Sequence, residues 1–443
     1  MIASRILRSW QTFWFEPVAA TNLGVARALF FISLAIYYLP HDFSGWGGVS
    51  AALYQPIWFF KWFGIPILGE SALNILQVIW KLSLLCAAVG FFTRTSIFLA
   101  AILGTYLLGL GHNFGQLYHF DAILVIAFWI LAFSRAGDAW SVDALIRVAR
   151  DPATVRPASS GEYQWPVQLI LVAFSLVFCA AGIAKLRASG VQWVLSDHLA
   201  ILLNRVQYRI SDADPLVTWG SAFAGVPWIS RLLAFGTIFF ETLYPIALFS
   251  RRLRVPLVLG GMGLVLGIRA LMGPTFENFL LMNIFWVPWD RVGAWISARV
   301  AARTEIHVFY DGACGLCRPT VAILRRLDLL SRVAFVDVTQ RWTSIAAQFP
   351  SLDRDRCFTD MHAVTRDGAT FAGFDAYRAL ARFLPLGWMA LPFLYIPPVA
   401  GLGRRVYRSV ADHRERSCAL PLPPPAGTPM TLGERADQVS DVR

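Results

Sequence analysis

Long apolar runs alternate with short polar segments over the first two thirds of the chain. They cover about residues 22–40, 72–92, 96–112, 120–134, 165–186, 228–249, 255–272 and 276–290. A helix rises about 1.5 Å per residue, so about 20 apolar residues cross a bilayer and about 17 are the minimum. The pattern predicts an all-α polytopic membrane bundle of about eight spans, with the shorter runs tilted, broken or re-entrant. Segment 41–66 is aromatic and Gly-rich and reads as an interfacial loop or half-helix, and segment 190–204 reads as an amphipathic surface helix.

The periodicity changes at about residue 303. Glu305 to Tyr310 reads as a strand, Arg318 to Leu330 has helical spacing, and Val333 to Val338 reads as a second strand. His362–Thr365 and Thr370–Ala372 flank Arg366-Asp367-Gly368, a hairpin signal, and Phe374 to Phe383 is helical again. This βαβ…ββα order predicts a small α/β domain of thioredoxin-like plan. After Leu420 a Pro-rich and then polar stretch predicts disorder. The expected organisation is a transmembrane domain at 1–300, a dithiol domain at 301–418 and a disordered tail at 419–443.

Composition strengthens the membrane reading. Charged residues make up 15% of the chain, against about 25% in a soluble domain. Many of the 17 Trp and 33 Phe sit near the ends of apolar runs, as in interfacial belts. The net charge of +11 comes with no nucleic-acid motif, so nucleic acid is not an expected partner; loops near anionic membrane lipid account for it. Arg5, Arg8, Arg94, Arg135, Arg147, Arg150, Arg156, Arg251, Arg252 and Arg254 fall on one side if the spans alternate. The positive-inside rule makes that side the cytoplasm and places the C-terminal domain there too. Arg205 and Arg209 would face outward, in a long segment where the rule is weak. The N-terminus lacks an apolar core and a cleavage site, so no removed signal peptide is expected. The expectation is a multi-pass integral membrane protein of a bacterial inner membrane.

Of six cysteines, only Cys314 and Cys317 form a spaced pair. Cys86 and Cys179 lie in apolar runs and read as small buried hydrophobes, while Cys357 and Cys418 are isolated. This is no secreted disulfide framework. Disulfide exchange needs a thiolate, and the start of a helix stabilises that anion through its free N–H groups and dipole. Strand, Asp311-Gly312-Ala313 turn, dithiol and helix follow in the required order, with Pro319 in the first helical turn. Cys314 is the expected exposed attacking sulfur and Cys317 the resolving one. Two other readings stand beside this. Zinc needs four ligands and the pair supplies two, with His307, Cys357 or His362 to complete the set; alternatively the dithiol is inert.

Tyr310-Asp311-Gly312-x-Cys314-x-Leu316-Cys317 and the later Leu402–Arg414 segment resemble the DCC family of thiol–disulfide oxidoreductase-like domains over about residues 305–416. The resemblance implies a thioredoxin-like fold and places Asp311, Cys314 and Cys317 in the site. No proline precedes the strand near Met361, where thioredoxins carry one facing the dithiol.

Ionisable residues inside spans are expensive and raise a functional hypothesis. His112 with His119 and Asp121, then Lys185, Glu241, and Arg269 with Glu277, are such residues. Each has a plainer reading. Lys185 snorkels from a span end, His112 and His119 sit in loops, and Glu241 pairs with Arg269. Taken together they suggest a shared polar cavity. Phe178-Cys-Ala-Ala-Gly182-Ile-Ala-Lys185-Leu186 with Trp193, His119 ahead of Trp140-Ser-Val-Asp143, and Glu241-Thr-Leu-Tyr-Pro245 resemble the HTTM domain, the bacterial relative of vitamin K-dependent γ-carboxylase, over about residues 15–295. The resemblance implies that Lys185 acts as a base toward a reduced quinone and that His119 assists. A Lys in an apolar pocket can be neutral and act so. The carboxylases' large protein-substrate domain is missing, so protein carboxylation is not implied.

Two functions follow. One is an integral membrane thiol–disulfide oxidoreductase whose dithiol exchanges electrons with a redox protein partner or a quinone-like small molecule held in the membrane half. The other is a non-catalytic scaffold or lipid-binding protein with a structural or redox-sensing dithiol. A secondary transporter lacks the expected inverted repeats.

Overall fold

The computed structural model describes residues 2–115, 119–207, 218–273, 276–300, 305–340 and 342–413; the expected tail at 419–443 lies outside the described residues. The chain divides into two compact units, Met1–Arg299 and Val300–Arg443.

The first unit is helical. Its principal helices are α1 (Ala20–Tyr38), α2 (Glu70–Val89), α3 (Thr93–Gly109), α4 (His119–Phe133), α5 (Gln164–Ser189), α6 (Pro227–Leu243) and α7 (Arg251–Met272). Five helical stretches, built on α1, α2, α3, α5 and α7, are long and apolar enough to cross a membrane by length and composition. The other three expected spans are shorter or broken. The α4 helix has 15 residues. The α6 helix has 17 and ends before Pro245, which has no N–H to offer the carbonyl one turn back. The 276–290 run splits into Glu277–Met282 and a tighter turn at Asn283–Trp286.

Phe30, Phe31 and Leu34 of α1 pack with Trp80 and Leu84 of α2, Ala100 of α3 and Phe128 of α4 in one apolar core. The one polar atom of Trp80 is satisfied by the Ala100 carbonyl at 3.1 Å. The outer faces are apolar as well: Leu82, Ile102, Leu176 and Leu259 are all exposed. A helix apolar on every side suits hydrocarbon surroundings rather than water.

The second unit is a mixed four-stranded sheet with helices. Its elements are β1 (Ile306–Tyr310), α8 (Cys317–Leu327), β2 (Val333–Asp337), β3 (His362–Thr365), β4 (Thr370–Ala372), α9 (Phe374–Ala381) and α10 (Pro397–Asp412). The strand order is β2-β1-β3-β4. The β1 and β2 strands run parallel, joined by α8, while β1–β3 and β3–β4 are antiparallel. The expected hairpin forms at Arg366–Gly368, where Gly368 takes φ +87° as a side chain rarely does. Strand alternation sends side chains to two faces. Ile306, Val308, Tyr310 and Ala363 join the cluster that holds the dithiol. Phe309 and Val364 join a second cluster with Val338, Ile345 and Cys357.

Candidate active site

The dithiol follows β1 on a tight turn and leads into α8. Asp311, itself buried, organises the turn: its Oδ1 accepts the Ala313 N–H at 2.9 Å and its backbone carbonyl accepts the Cys314 N–H at 3.2 Å. From the end of the neighbouring strand, Asp337 Oδ1 accepts the Gly312 N–H at 3.1 Å, the Thr339 N–H at 2.9 Å and the Thr339 hydroxyl at 2.7 Å. Gly312 is required here, because a Cβ would overlap the Asp337 carboxylate. Asp337 is a site residue that motif reading missed. Its signal is an acidic residue closing β2, in register with Tyr310 at the end of β1.

The two sulfurs lie 2.7 Å apart, and Cys317 donates both its S–H and, at 3.2 Å, its backbone N–H to Cys314 Sγ. Helix α8 begins at Cys317, so Cys314 belongs to the turn before it. The expected exposure of Cys314 is corrected: the residue is 0% exposed and Cys317 only 7%, while Leu316 between them is 46% exposed. The physical reason is the pinned turn. Asp311 and Asp337 draw its backbone down onto the sheet, and both sulfurs then pack with Val308, Tyr310, Val321 and Met361. At the end of β1 that leads into this turn, burial lifts the Tyr310 hydroxyl above its ordinary range, opposed by the Arg325 guanidinium nearby.

The residues offered to complete a zinc site do not approach the pair. Cys357 lies in the cluster on the far face of the sheet. His307 stacks on Phe309 and meets the Phe349 ring at a tilt, on that same face. His362 alternates with Ala363 of the dithiol face. Among the described residues, no three His, Cys, Asp or Glu side chains gather as a metal site. Burial and the Asp353 carboxylate push the Cys357 thiol up to about 11, so it stays protonated at neutral pH.

In the first unit, Lys185 Nζ sits 2.8 and 2.7 Å from the two carboxylate oxygens of Glu241 and 5.8 Å from the Trp193 ring centroid. Gly182, one turn before Lys185, lets α5 and α6 approach closely, since a Cβ there would press on Thr242 and Glu241. Two expectations change. Glu241 pairs with Lys185, not Arg269. Lys185 also does not stand alone in an apolar pocket, because the Glu241 carboxylate is its direct partner. His119 opens α4, and its side chain lies outside the described residues. Nearby, His112 Nε2 is 3.5 Å from Asp121 Oδ2.

The Trp140-Ser141-Val142-Asp143 motif is a knot of backbone contacts. The Trp140 carbonyl accepts from the guanidinium of Arg27, a fully buried residue of α1. Ser141 Oγ caps the helix Val142–Arg150. The Asp143 carboxylate accepts the Phe92 and Thr93 N–H groups and the Thr93 hydroxyl at the start of α3. Arg27 is the second residue that sequence reasoning passed over, although an Arg inside an apolar run is its own signal.

The sequence pattern of the HTTM domain matches residues 15–266. The pattern described as DCC1-like thiol-disulfide oxidoreductase matches residues 308–419. An uncharacterized chloroplastic protein of Arabidopsis thaliana is 29% identical over 111 residues, which are 25% of this chain and 51% of that protein. The chain thus spans about half the length of that curated relative. No solved structure matches.

Proposed function

Because the chain belongs to the HTTM family and carries a DCC1-like segment after it, we propose that it is a membrane thiol–disulfide oxidoreductase working through Cys314 and Cys317. The observation that carries this reading is the pair of donors from Cys317 aimed at Cys314 Sγ, on the turn that starts α8. Negative charge on Cys314 is met there by an N–H, an S–H and the positive end of a helix.

The exchange balances as follows. Cys314 thiolate attacks one sulfur of a partner disulfide, and the other sulfur leaves as a thiolate. Cys317 then loses its proton and attacks Cys314 Sγ, releasing the partner's second thiolate. Two electrons pass to the partner and a Cys314–Cys317 disulfide remains; the reverse sequence oxidises a partner dithiol. Since both sulfurs are buried, the cycle starts with a local opening of the Gly312–Leu316 turn. The exposed Leu316 is the natural edge for that opening.

The finer features belong to the same proposal. The second unit adopts a thioredoxin-like fold, and the shorter apolar segments complete about eight spans. The arginine-rich loops and the dithiol unit lie on the cytoplasmic side of a bacterial inner membrane. The membrane half holds lipid or a quinone-like molecule, with Lys185 acting as a base beside Glu241. His119 assists there, and a redox protein or the quinone takes or supplies the electrons.

Burial of both sulfurs favours a second reading, a scaffold or lipid-binding protein whose dithiol is structural. Peptide-resolved alkylation of the native, reduced, full-length protein separates the two. Exchange predicts modification of Cys314 while Cys357 stays unmodified, and Cys314→Ser abolishes thiol-dependent reduction of a disulfide or a quinone by the purified protein. If Cys314 labels only when Cys357 does, on global unfolding, or if Cys314→Ser retains full activity, the exchange reading is wrong.

A further inference from the structure

Helix α10 carries two apolar stripes where docking needs one. The first faces its own unit. Ala400 is buried, Gly403 meets the Phe374 ring so closely that a Cβ would overlap it, and the Tyr407 hydroxyl accepts the Met361 N–H at 3.0 Å. The second stripe is Val399, Leu402, Val406 and Val410, at helical spacing along a neighbouring face. These residues are 37, 62, 54 and 47% exposed. At the far end of this stripe, Val410 and His413 border a hollow with Leu316, the exposed residue of the dithiol turn. Ahead of α10, Trp388, Met389 and Phe393 are half or more exposed. Apolar surface of this extent marks an interaction site.

Charge selects the partner. Residues 382–413 hold four arginines, Arg382, Arg404, Arg405 and Arg408, against the single acidic residue Asp412; Arg404 and Arg408 already pair with Asp375 and Asp360 of the same unit, so Arg382 and Arg405 are the cations left to meet headgroups. Exposed aliphatic and aromatic side chains beside arginines match the lipid–water boundary, where apolar groups enter the acyl region and guanidinium groups meet anionic headgroups. The same chain carries five helical stretches able to span a membrane, and β1 begins within a few residues of the helix Trp289–Val300. A bilayer is therefore tethered within reach at high effective concentration.

We propose that the Val399–Val410 stripe of α10 rests on an anionic lipid surface and brings the Cys314–Cys317 turn to the membrane boundary. The dithiol then meets partners that are themselves in or on the bilayer. The inference stands on packing and charge, so it holds even if the exchange reading fails.

Photo-crosslinking on the full-length protein tests it, in nanodiscs of phosphatidylcholine and phosphatidylglycerol in equal parts. Benzoylphenylalanine is installed separately at Val406, at Gly401 on the other side of α10 with open space around it, and at the exposed Leu82 of α2 as a span control. Mass spectrometry then identifies the adducts. The expected result is a phospholipid adduct at Leu82 and at Val406, with the Val406 yield roughly tenfold that at Gly401. The proposal is overturned if Val406 crosslinks to the 414–443 segment, to the first unit or to a second copy. It is equally overturned if Val406 gives no lipid adduct in samples where Leu82 does.

Discussion

Replacing Gly312 by Ala drives a Cβ into the Asp337 carboxylate, 2.6 Å from Oδ1 and closer still to Oδ2 and Cγ. The carboxylate then has to retreat by roughly 1.5 Å to reach ordinary van der Waals contact. It cannot do so and keep its bonds to the Gly312 N–H, the Thr339 N–H and the Thr339 hydroxyl. Each hydrogen bond to a charged group contributes about 1.5–3 kcal/mol. Asp337 is only partly buried, so water replaces some of the loss, and the expected destabilisation is about 2 kcal/mol. With a urea slope of about 2 kcal/mol per molar, the unfolding midpoint of the second unit falls by about 1 M. Cys357 is the reporter: it is 1% exposed and its alkylation in urea tracks opening of the sheet's far face. The looser turn also raises alkylation of native Cys314, by up to about thirtyfold if all 2 kcal/mol appears in local opening. An Asp337→Ala background removes the clash, so Gly312→Ala costs little there. An unmoved midpoint, or an equal cost of Gly312→Ala with and without Asp337, would refute the pinned-turn argument.

Burial holds His307 below its ordinary value of 6.5, so the unfolded chain binds a proton first as pH falls. The stability contribution is complete above about pH 6.5 and is lost as pH drops through the folded-state value; urea midpoints near neutrality and in mild acid should converge in His307→Gln relative to the parent. Glu241→Gln strips Lys185 of its counterion and should lower the stability of the helical unit by about 1–2 kcal/mol, less than a wholly buried pair because the Lys185 side chain is 28% exposed. Thermal unfolding in detergent should show Lys185→Met recovering part of that loss, and a neutral Glu241→Gln would remove the pair's structural role. Gly90→Ala places a methyl group against the Arg27 guanidinium and Ser141 at a residue with φ +72°. It should cost about 3 kcal/mol or more and sharply reduce the folded yield measured by size-exclusion chromatography.

The α/β unit was legible because its signals are local. The strands of β1 and β2, the hairpin at Gly368 and the helix after the dithiol follow from runs of five to eleven residues. The span count was less legible, since an apolar run does not reveal that a helix stops at Pro245 or tightens at Asn283–Trp286. The candidate site divides the same way. Asp311, Cys314 and Cys317 announce themselves by spacing, whereas Asp337 sits 25 residues from the Gly312 it holds.

Hydropathy and spacing are properties of neighbouring residues, so the membrane character, the change to a sheet unit and the paired thiols are written in the chain itself. Burial and partnership are properties of distant residues brought together. Only the folded state could bury Cys314 under a turn held by two aspartates, join Lys185 to a carboxylate 56 positions away, or set Arg27 on a carbonyl 113 positions away. Each is a polar or reactive group whose partner is fixed by how elements pack, and no local pattern encodes that choice.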